Sequence, residues 1–219
     1  MQPGLSYLGS HTMLQFDRYR KKYGDHTVIE VPALELPQGI YRLQGTNGSG
    51  KTTLIKSIAG LIPYDGNIIV AGNNIRKDRI AYTATVNYAE AEPQYPDFVT
   101  GNDLVRFYAA TKKATAEQVI QLTEAMGIAE YAGNKTGTYS SGMAKKLSLV
   151  LAFMGRPKLV LLDEPLITLD VQAVANLQQL VAQYLQHGVT FLITSHQELD
   201  DQMNEPVRLI IKDKTVVRA

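Results

Sequence analysis

The chain has 219 residues, 45% of them apolar, and carries 22 Lys and Arg against 21 Asp and Glu for a formal charge of +1. That length allows one large or two small domains with a proper core, and the near-zero charge argues against a basic surface for nucleic acid. There is no cysteine, so disulfides and thiolate metal sites are excluded. No run approaches the ~18 apolar residues of a membrane span, and no signal-peptide pattern opens the chain. The composition reads as that of a soluble protein of a reducing cytosol.

Gly9-Ser10-His11-Thr12-Met13 resembles an expression-vector scar, so residues 1–12 are set aside as a tag remnant and the functional reading starts at Met13. Leu14 to Arg20 reads as a strand with Leu14, Phe16 and Tyr19 facing in, followed by a turn over Lys21 to Asp25. Thr27 to Val31 and Leu34 to Leu36 are strand-like, and Pro37-Gln38-Gly39 turns the chain into a further strand, Ile40 to Leu43.

Gly45-Thr46-Asn47-Gly48-Ser49-Gly50-Lys51-Thr52-Thr53 follows directly and fits the phosphate-loop pattern G-x-x-x-x-G-K-[ST]. Leu54, Ile55, Ile58 and Leu61 then recur at helical spacing. The strand–loop–helix context is what the pattern needs. Gly48 and Gly50 let backbone N–H groups of Asn47 to Thr53 turn inward as an anion nest, and the helix adds the positive end of its dipole. Lys51 is placed to reach the β- and γ-phosphates of ATP, and the Thr52 hydroxyl to ligate Mg²⁺.

Pro63 to Gly66 ends that helix, and Asn67 to Ala71 is another strand closed by Gly72-Asn73. Ile80 to Val86, apolar and β-branched, reads as a buried strand, and Tyr88 to Pro96 as a loop. The character then turns helical. Leu104, Phe107 and Tyr108 mark one helix, and Val119, Leu122 and Met126 another, ended by Gly127. After a loop over Asn134 to Thr138, Ser140 caps a third helix with Met143, Leu147, Val150, Leu151 and Met154 on one face. Residues 96–154 thus read as a helical insert in an α/β frame.

Leu159 to Leu162 is a continuous apolar run, the mark of a strand covered on both faces. Asp163 and Glu164 follow it, where α/β folds place ligand chemistry. Asp163 is suited to hold Mg²⁺ opposite Thr52, and Glu164 to polarise the water that attacks the γ-phosphate. Gln172 to Gln186 is a helix burying Val174, Leu177, Val181 and Leu185, Val189 to Thr194 a buried strand, and Glu198 to Met203 a short helix. Val207 to Ile211 and Thr215 to Val217 form a closing hairpin.

With these residues in view, the chain resembles the nucleotide-binding subunit of ATP-binding cassette (ABC) transporters. Tyr139-Ser140-Ser141-Gly142-Met143 stands where the family has its Leu-Ser-Gly-Gly-Gln signature, Leu169-Asp170 matches the D-loop, and His196, after Leu192-Ile193-Thr194-Ser195, matches the switch histidine. Tyr23 before Gly24 is similar to the aromatic residue that stacks on adenine. The resemblance covers Met13 to Ala219 as a single domain. It implies an α/β phosphate-loop NTPase core with a mixed, largely parallel sheet, an N-terminal antiparallel β subdomain and the helical insert.

The resemblance further implies an ATPase that uses ATP and Mg²⁺, pairs head to tail with a second cassette, and powers a separate transmembrane permease from the inner face of the cell membrane, with no nucleic-acid partner. Ser140, Gly142 and Met143 of one subunit would cap ATP held by the other. Asp170 would act across that interface, and His196 would position the attacking water. Each has a plainer reading too: Tyr23 as a core tyrosine, Ser140 as a helix cap only, Asp170 as a helix-start acid, His196 as a strand-end histidine. Soluble cassette ATPases of DNA repair or translation are the alternative class, but they carry coiled-coil, zinc or duplicated modules that this sequence lacks.

Two departures from the family pattern stand out. Ser141 replaces the first signature glycine and Met143 the Gln, a variant familiar from bacterial export-type cassettes. The Gln that follows a strand as metal ligand has no clear counterpart. One register puts Thr85 there and another, which also matches Glu92-Pro93, puts Ala91 there.

Overall fold

A computed structural model describes residues 12–195 and 206–219. Two sheets carry the fold. The first is antiparallel, in the order β2-β1-β4-β5, from β1 (Thr12–Tyr23), β2 (His26–Pro37), β4 (Asp65–Val70) and β5 (Asn73–Asn74). Alternation sets its inner face: Leu14, Phe16, Ile29, Val31 and Leu36 are all buried. The two strands expected over 27–36 are one, running through Pro32. β2 is an edge strand of this sheet, where the missing proline N–H removes no ladder bond.

The second sheet is mixed, in the order β10-β9-β3-β8-β7-β6, with β3 (Ile40–Gln44), β6 (Val86–Ala89), β7 (Leu159–Asp163), β8 (Thr190–Thr194), β9 (Val207–Lys212) and β10 (Thr215–Arg218). All its neighbours are parallel except the β9–β10 hairpin. β7 is buried at every residue. Leu159 and Leu161 face the core shared with the antiparallel sheet and α1 (Lys51–Ile58), while Val160 and Leu162 face α5 (Ser141–Ala152) and α6 (Val171–Gln186). The apolar run is therefore covered on both faces, as its lack of alternation requires.

The expected strand over Ile80 to Val86 is instead a helix, α2 (Arg79–Thr85), that gives way to β6 at Val86. Asp78 caps it by accepting from the Ala81 N–H, and Thr83 and Thr85 return their hydroxyls to the carbonyls of Arg79 and Ala81. The burial is helical: Tyr82 is buried and its hydroxyl donates to the Ile58 carbonyl, while Ile80 is 83% exposed. A short apolar run has no period long enough to separate the two readings. Part of the loop expected from Tyr88 is consequently strand, so Glu90 and Ala91 open the segment after β6. That supports the register placing Ala91, not Thr85, at the glutamine position.

Three helices lie between β6 and β7 in the chain: α3 (Gly101–Lys112), α4 (Ala116–Ala125) and α5, the last preceded by a single 3-10 turn over Thr136–Thr138. Thr100 and Asp103 form a reciprocal capping box on α3, and Thr115 caps α4. α3 turns Val105 inward and leaves Phe107 65% exposed. α6 buries Ala173, Leu177, Leu180 and Val181, with Val174 and Leu185 only partly covered. The short helix expected at Glu198 to Met203 lies outside the described residues.

Candidate functional site

The phosphate loop joins β3 to α1. Gly50 takes φ +103° as the N-cap of α1 and offers no side-chain acceptor, so the first-turn N–H groups, from Lys51 to Thr53, remain directed at the loop mouth. Thr46 closes the loop by accepting from the Ser49 N–H at 3.1 Å. A Cβ at Gly45 would stand 2.5 Å from Ser49 Oγ, so any larger residue there would have to turn the serine hydroxyl aside. Lys51 Nζ bends back to donate to the carbonyls of Gly45 (2.8 Å) and Thr46 (3.2 Å). The ammonium is thus held on the loop's own carbonyls. Asn47, Gly48 and Thr52 are exposed, with Thr53 partly covered.

Strand order brings the acids to this loop. Leu43, Thr194 and Asp163 lie in one row across β3, β8 and β7. At roughly 4.8 Å per strand, Asp163 stands about 10 Å from the strand that feeds the loop. Asp163 is 1% exposed. Its Oδ1 accepts from Thr194 Oγ1 at 2.6 Å, while Oδ2 has no hydrogen-bond partner among the described residues. A buried carboxylate oxygen left open in this way fits a cation. No cluster of three acids or histidines is present among the described residues, so a metal here would complete its shell with phosphate and water. The Tyr88 hydroxyl stands beside Asp163, and burial and that negative charge drive its pKa far above the usual range for tyrosine.

Glu164 follows with φ +45°, in the left-handed region. Its N–H donates to Thr194 Oγ1 at 2.9 Å. Thr194 therefore organises both acids, a role the sequence reading assigned to no residue.

The second anion site expected from the sequence falls at the start of α5. Ser140 is exposed and caps the helix, its Oγ accepting from the Met143 N–H at 3.2 Å. Gly142 packs against the chain that follows β7: a Cβ there would lie 2.9 Å from the Thr168 carbonyl oxygen. Ser141 is exposed, which explains why a side chain is accommodated where the family pattern has glycine. Asp170 caps α6 by accepting from the Ala173 N–H at 2.8 Å and pairs with Lys146 of α5. That lysine, with the backbone N–H, holds its carboxyl below the ordinary range.

Tyr23 ends β1, 56% exposed, with Lys21 Nζ 4.5 Å above one face of its ring. A Cβ on Gly50 would touch Val28 Cγ1 at 3.1 Å, so the start of β2 abuts the phosphate loop and carries the hairpin end with Tyr23 beside it. His196 lies outside the described residues.

One residue escaped the sequence reading altogether. Lys145, on α5, is fully buried and donates from Nζ to the carbonyls of Glu90 (2.7 Å), Ala91 (3.0 Å) and Asp163 (3.0 Å). Desolvation pulls its pKa down to about 8 against the opposing pull of Asp163, Glu164, Glu90 and Glu92. A signal existed: α5 is buried almost all round from Leu147 onward, and Lys145, Ser148, Leu149 and Ala152 share a stripe at helical spacing.

Comparison with known proteins matches this arrangement. The ABC transporter family model covers residues 33–167. The linearmycin resistance ATP-binding protein LnrL of Bacillus subtilis is 32% identical over 190 residues, 84% of this chain and 61% of that one, so the chain spans less than two thirds of that relative. An uncharacterised ABC transporter ATP-binding protein of the same organism, YybJ, is 30% identical over 86% of this chain and 87% of its own. The lantibiotic transport ATP-binding protein SrtF of Streptococcus pyogenes is 26% identical over 84% and 80%. A solved ATP-binding subunit of an ABC transporter superposes with a TM-score of 0.84 over 95% of this chain and 90% of its own, at 22% identity, a likeness of fold. From the matched model and these relatives, this chain is a member of the ABC transporter family of ATP-binding proteins.

Proposed function

We propose that this chain is the ATP-hydrolysing subunit of a membrane transporter, driven by ATP-dependent pairing of two cassettes. The observation that supports it is the row Leu43–Thr194–Asp163, which sets a phosphate loop and a buried, half-satisfied carboxylate at the same edge of one sheet. Tyr23 stacks on adenine, the backbone from Asn47 to Thr53 cradles the phosphates, and Lys51 leaves its two loop carbonyls for the γ-phosphate. Thr52 and Asp163 would hold Mg²⁺, which would offset phosphate charge when bound. Glu164 orients and polarises the attacking water, assisted by His196.

Ser140 and the N–H groups of Gly142 and Met143, with Asp170, complete the site of a second copy. One chain carries two incomplete anion pockets, and head-to-tail pairing makes both whole. Residues 13–219 act as one cassette in which the insert over 96–154 is the lever. Phe98 and Phe107, 76% and 65% exposed, are apolar side chains on it open to a separate permease subunit, which would hold the cassette at the inner face of the membrane. No helix among the described residues is long and apolar enough to cross a membrane. The signature variant and the names of the resistance and lantibiotic relatives favour export.

The test is Glu164→Gln. It is expected to bind ATP, to hydrolyse it at least about a hundredfold more slowly, and to elute as a dimer with ATP and a monomer without. A monomer under both conditions overturns the pairing.

A further inference from the structure

Lys145 binds no phosphate and no metal in this scheme, yet its contacts converge on the centre of the site. The Asp163 carbonyl it holds at 3.0 Å belongs to the peptide that joins Asp163 to Glu164. The N–H of that same peptide donates to Thr194 Oγ1 at 2.9 Å. Both polar ends of one peptide plane are therefore gripped by side chains, from α5 on one side and β8 on the other. Turning that plane over would carry Glu164 from φ +45° to the opposite side of φ space. A left-handed glutamate is costly and persists only where its surroundings impose it. The other two bonds of the ammonium reach Glu90 and Ala91, in the segment after β6.

We propose that Lys145 is a positioning residue for Glu164: its ammonium locks the Asp163–Glu164 peptide so that the glutamate carboxylate is presented to the nucleotide, and it ties that presentation to the segment at Glu90 and Ala91. The inference rests on Glu164 being the residue that polarises water. Without the lysine the carbonyl loses its donor, the peptide turns, and Glu164 relaxes to an ordinary φ with its carboxylate displaced. The phosphate loop hangs from a different strand, β3, and keeps its grip on ATP. Turnover and affinity should separate, which a merely structural lysine would not bring about.

The experiment compares wild type, Lys145→Met and Lys145→Arg in the full chain, measuring Mg-ATP turnover, ATP affinity by calorimetry with magnesium chelated, and thermal unfolding. A misplacement of about 1 Å costs on the order of a hundredfold in rate. Lys145→Met is expected to lose about that much in kcat while its Kd for ATP stays within about threefold. Lys145→Arg, whose guanidinium again supplies donors, is expected to recover at least about tenfold of it. The proposal falls if kcat is unchanged in the Met variant, if kcat and affinity fall together, or if Arg loses as much as Met. Should Lys145→Met not fold, Lys145→Gln is judged by the same split; if neither folds, Lys145 is a fold residue and the proposal is withdrawn. A wild type that neither binds nor hydrolyses ATP refutes the ATPase reading instead.

Discussion

Gly142→Ala isolates the packing between the start of α5 and the chain that follows Glu164. The added methyl would lie 2.9 Å from the Thr168 carbonyl oxygen, against an ordinary C···O contact of about 3.3 Å or more. One side has to give by roughly half an ångström. The obstacle is backbone, and Thr168 is itself held at φ +67°, so it cannot yield by a rotamer change. Overpacking of this kind costs about 1–3 kcal/mol, while alanine returns at most about 1 kcal/mol of helix propensity over glycine. At the middle of that range, about 2 kcal/mol, the overlap wins and leaves a net loss of about 1–2 kcal/mol, or roughly 2–8 °C in Tm for a domain of this size. The displaced segment runs from Glu164 to Asp170, so ATPase activity should fall with stability. Thermal unfolding by circular dichroism and steady-state ATPase assays measure the two. Ser141→Ala, one residue away but exposed, is the control and should stay within about 0.5 kcal/mol. A Gly142→Ala protein as stable and active as wild type, or more stable, would refute the contact as the reason for glycine.

Two further outcomes follow from the nucleotide contacts. Lys51→Ala should weaken ATP binding in calorimetry, and unchanged affinity would remove the phosphate-loop assignment. Tyr23→Ala should reduce ATP affinity toward the low end of the ~1–3 kcal/mol that base stacking supplies, because Lys21 already covers one ring face; no reduction would return Tyr23 to a structural residue.

What the sequence made legible was local. The phosphate loop, the acid pair after an apolar strand and the Ser140 cap each lie within ten residues, and each is marked by residue types at fixed spacing. The strand expected at Ile80 was illegible for the converse reason. In Arg79–Thr85 the deciding contacts are the Asp78 cap and the Tyr82 hydroxyl on Ile58, neither of which shows in an apolar run. Lys145 was harder still, since its partners are main-chain carbonyls, which every residue possesses and no motif encodes.

Strand order supplied what spacing could not. A motif that pairs a phosphate loop with a distant acid says only that the two meet. It does not say what stands between them. Here β8 lies between β3 and β7, and the last residue of β8, Thr194, is in the gap. Its one oxygen donates to Asp163 and accepts from Glu164, so the proposed metal ligand and the proposed base are oriented by a third strand. Any motion that shifts β8 against β7 is therefore felt by both acids at once, while Lys145 holds the opposite face of the same peptide from α5. The proposed site is sensitive from two directions: the sheet that carries the phosphate loop and the helix whose first turn is proposed to meet the second copy's nucleotide.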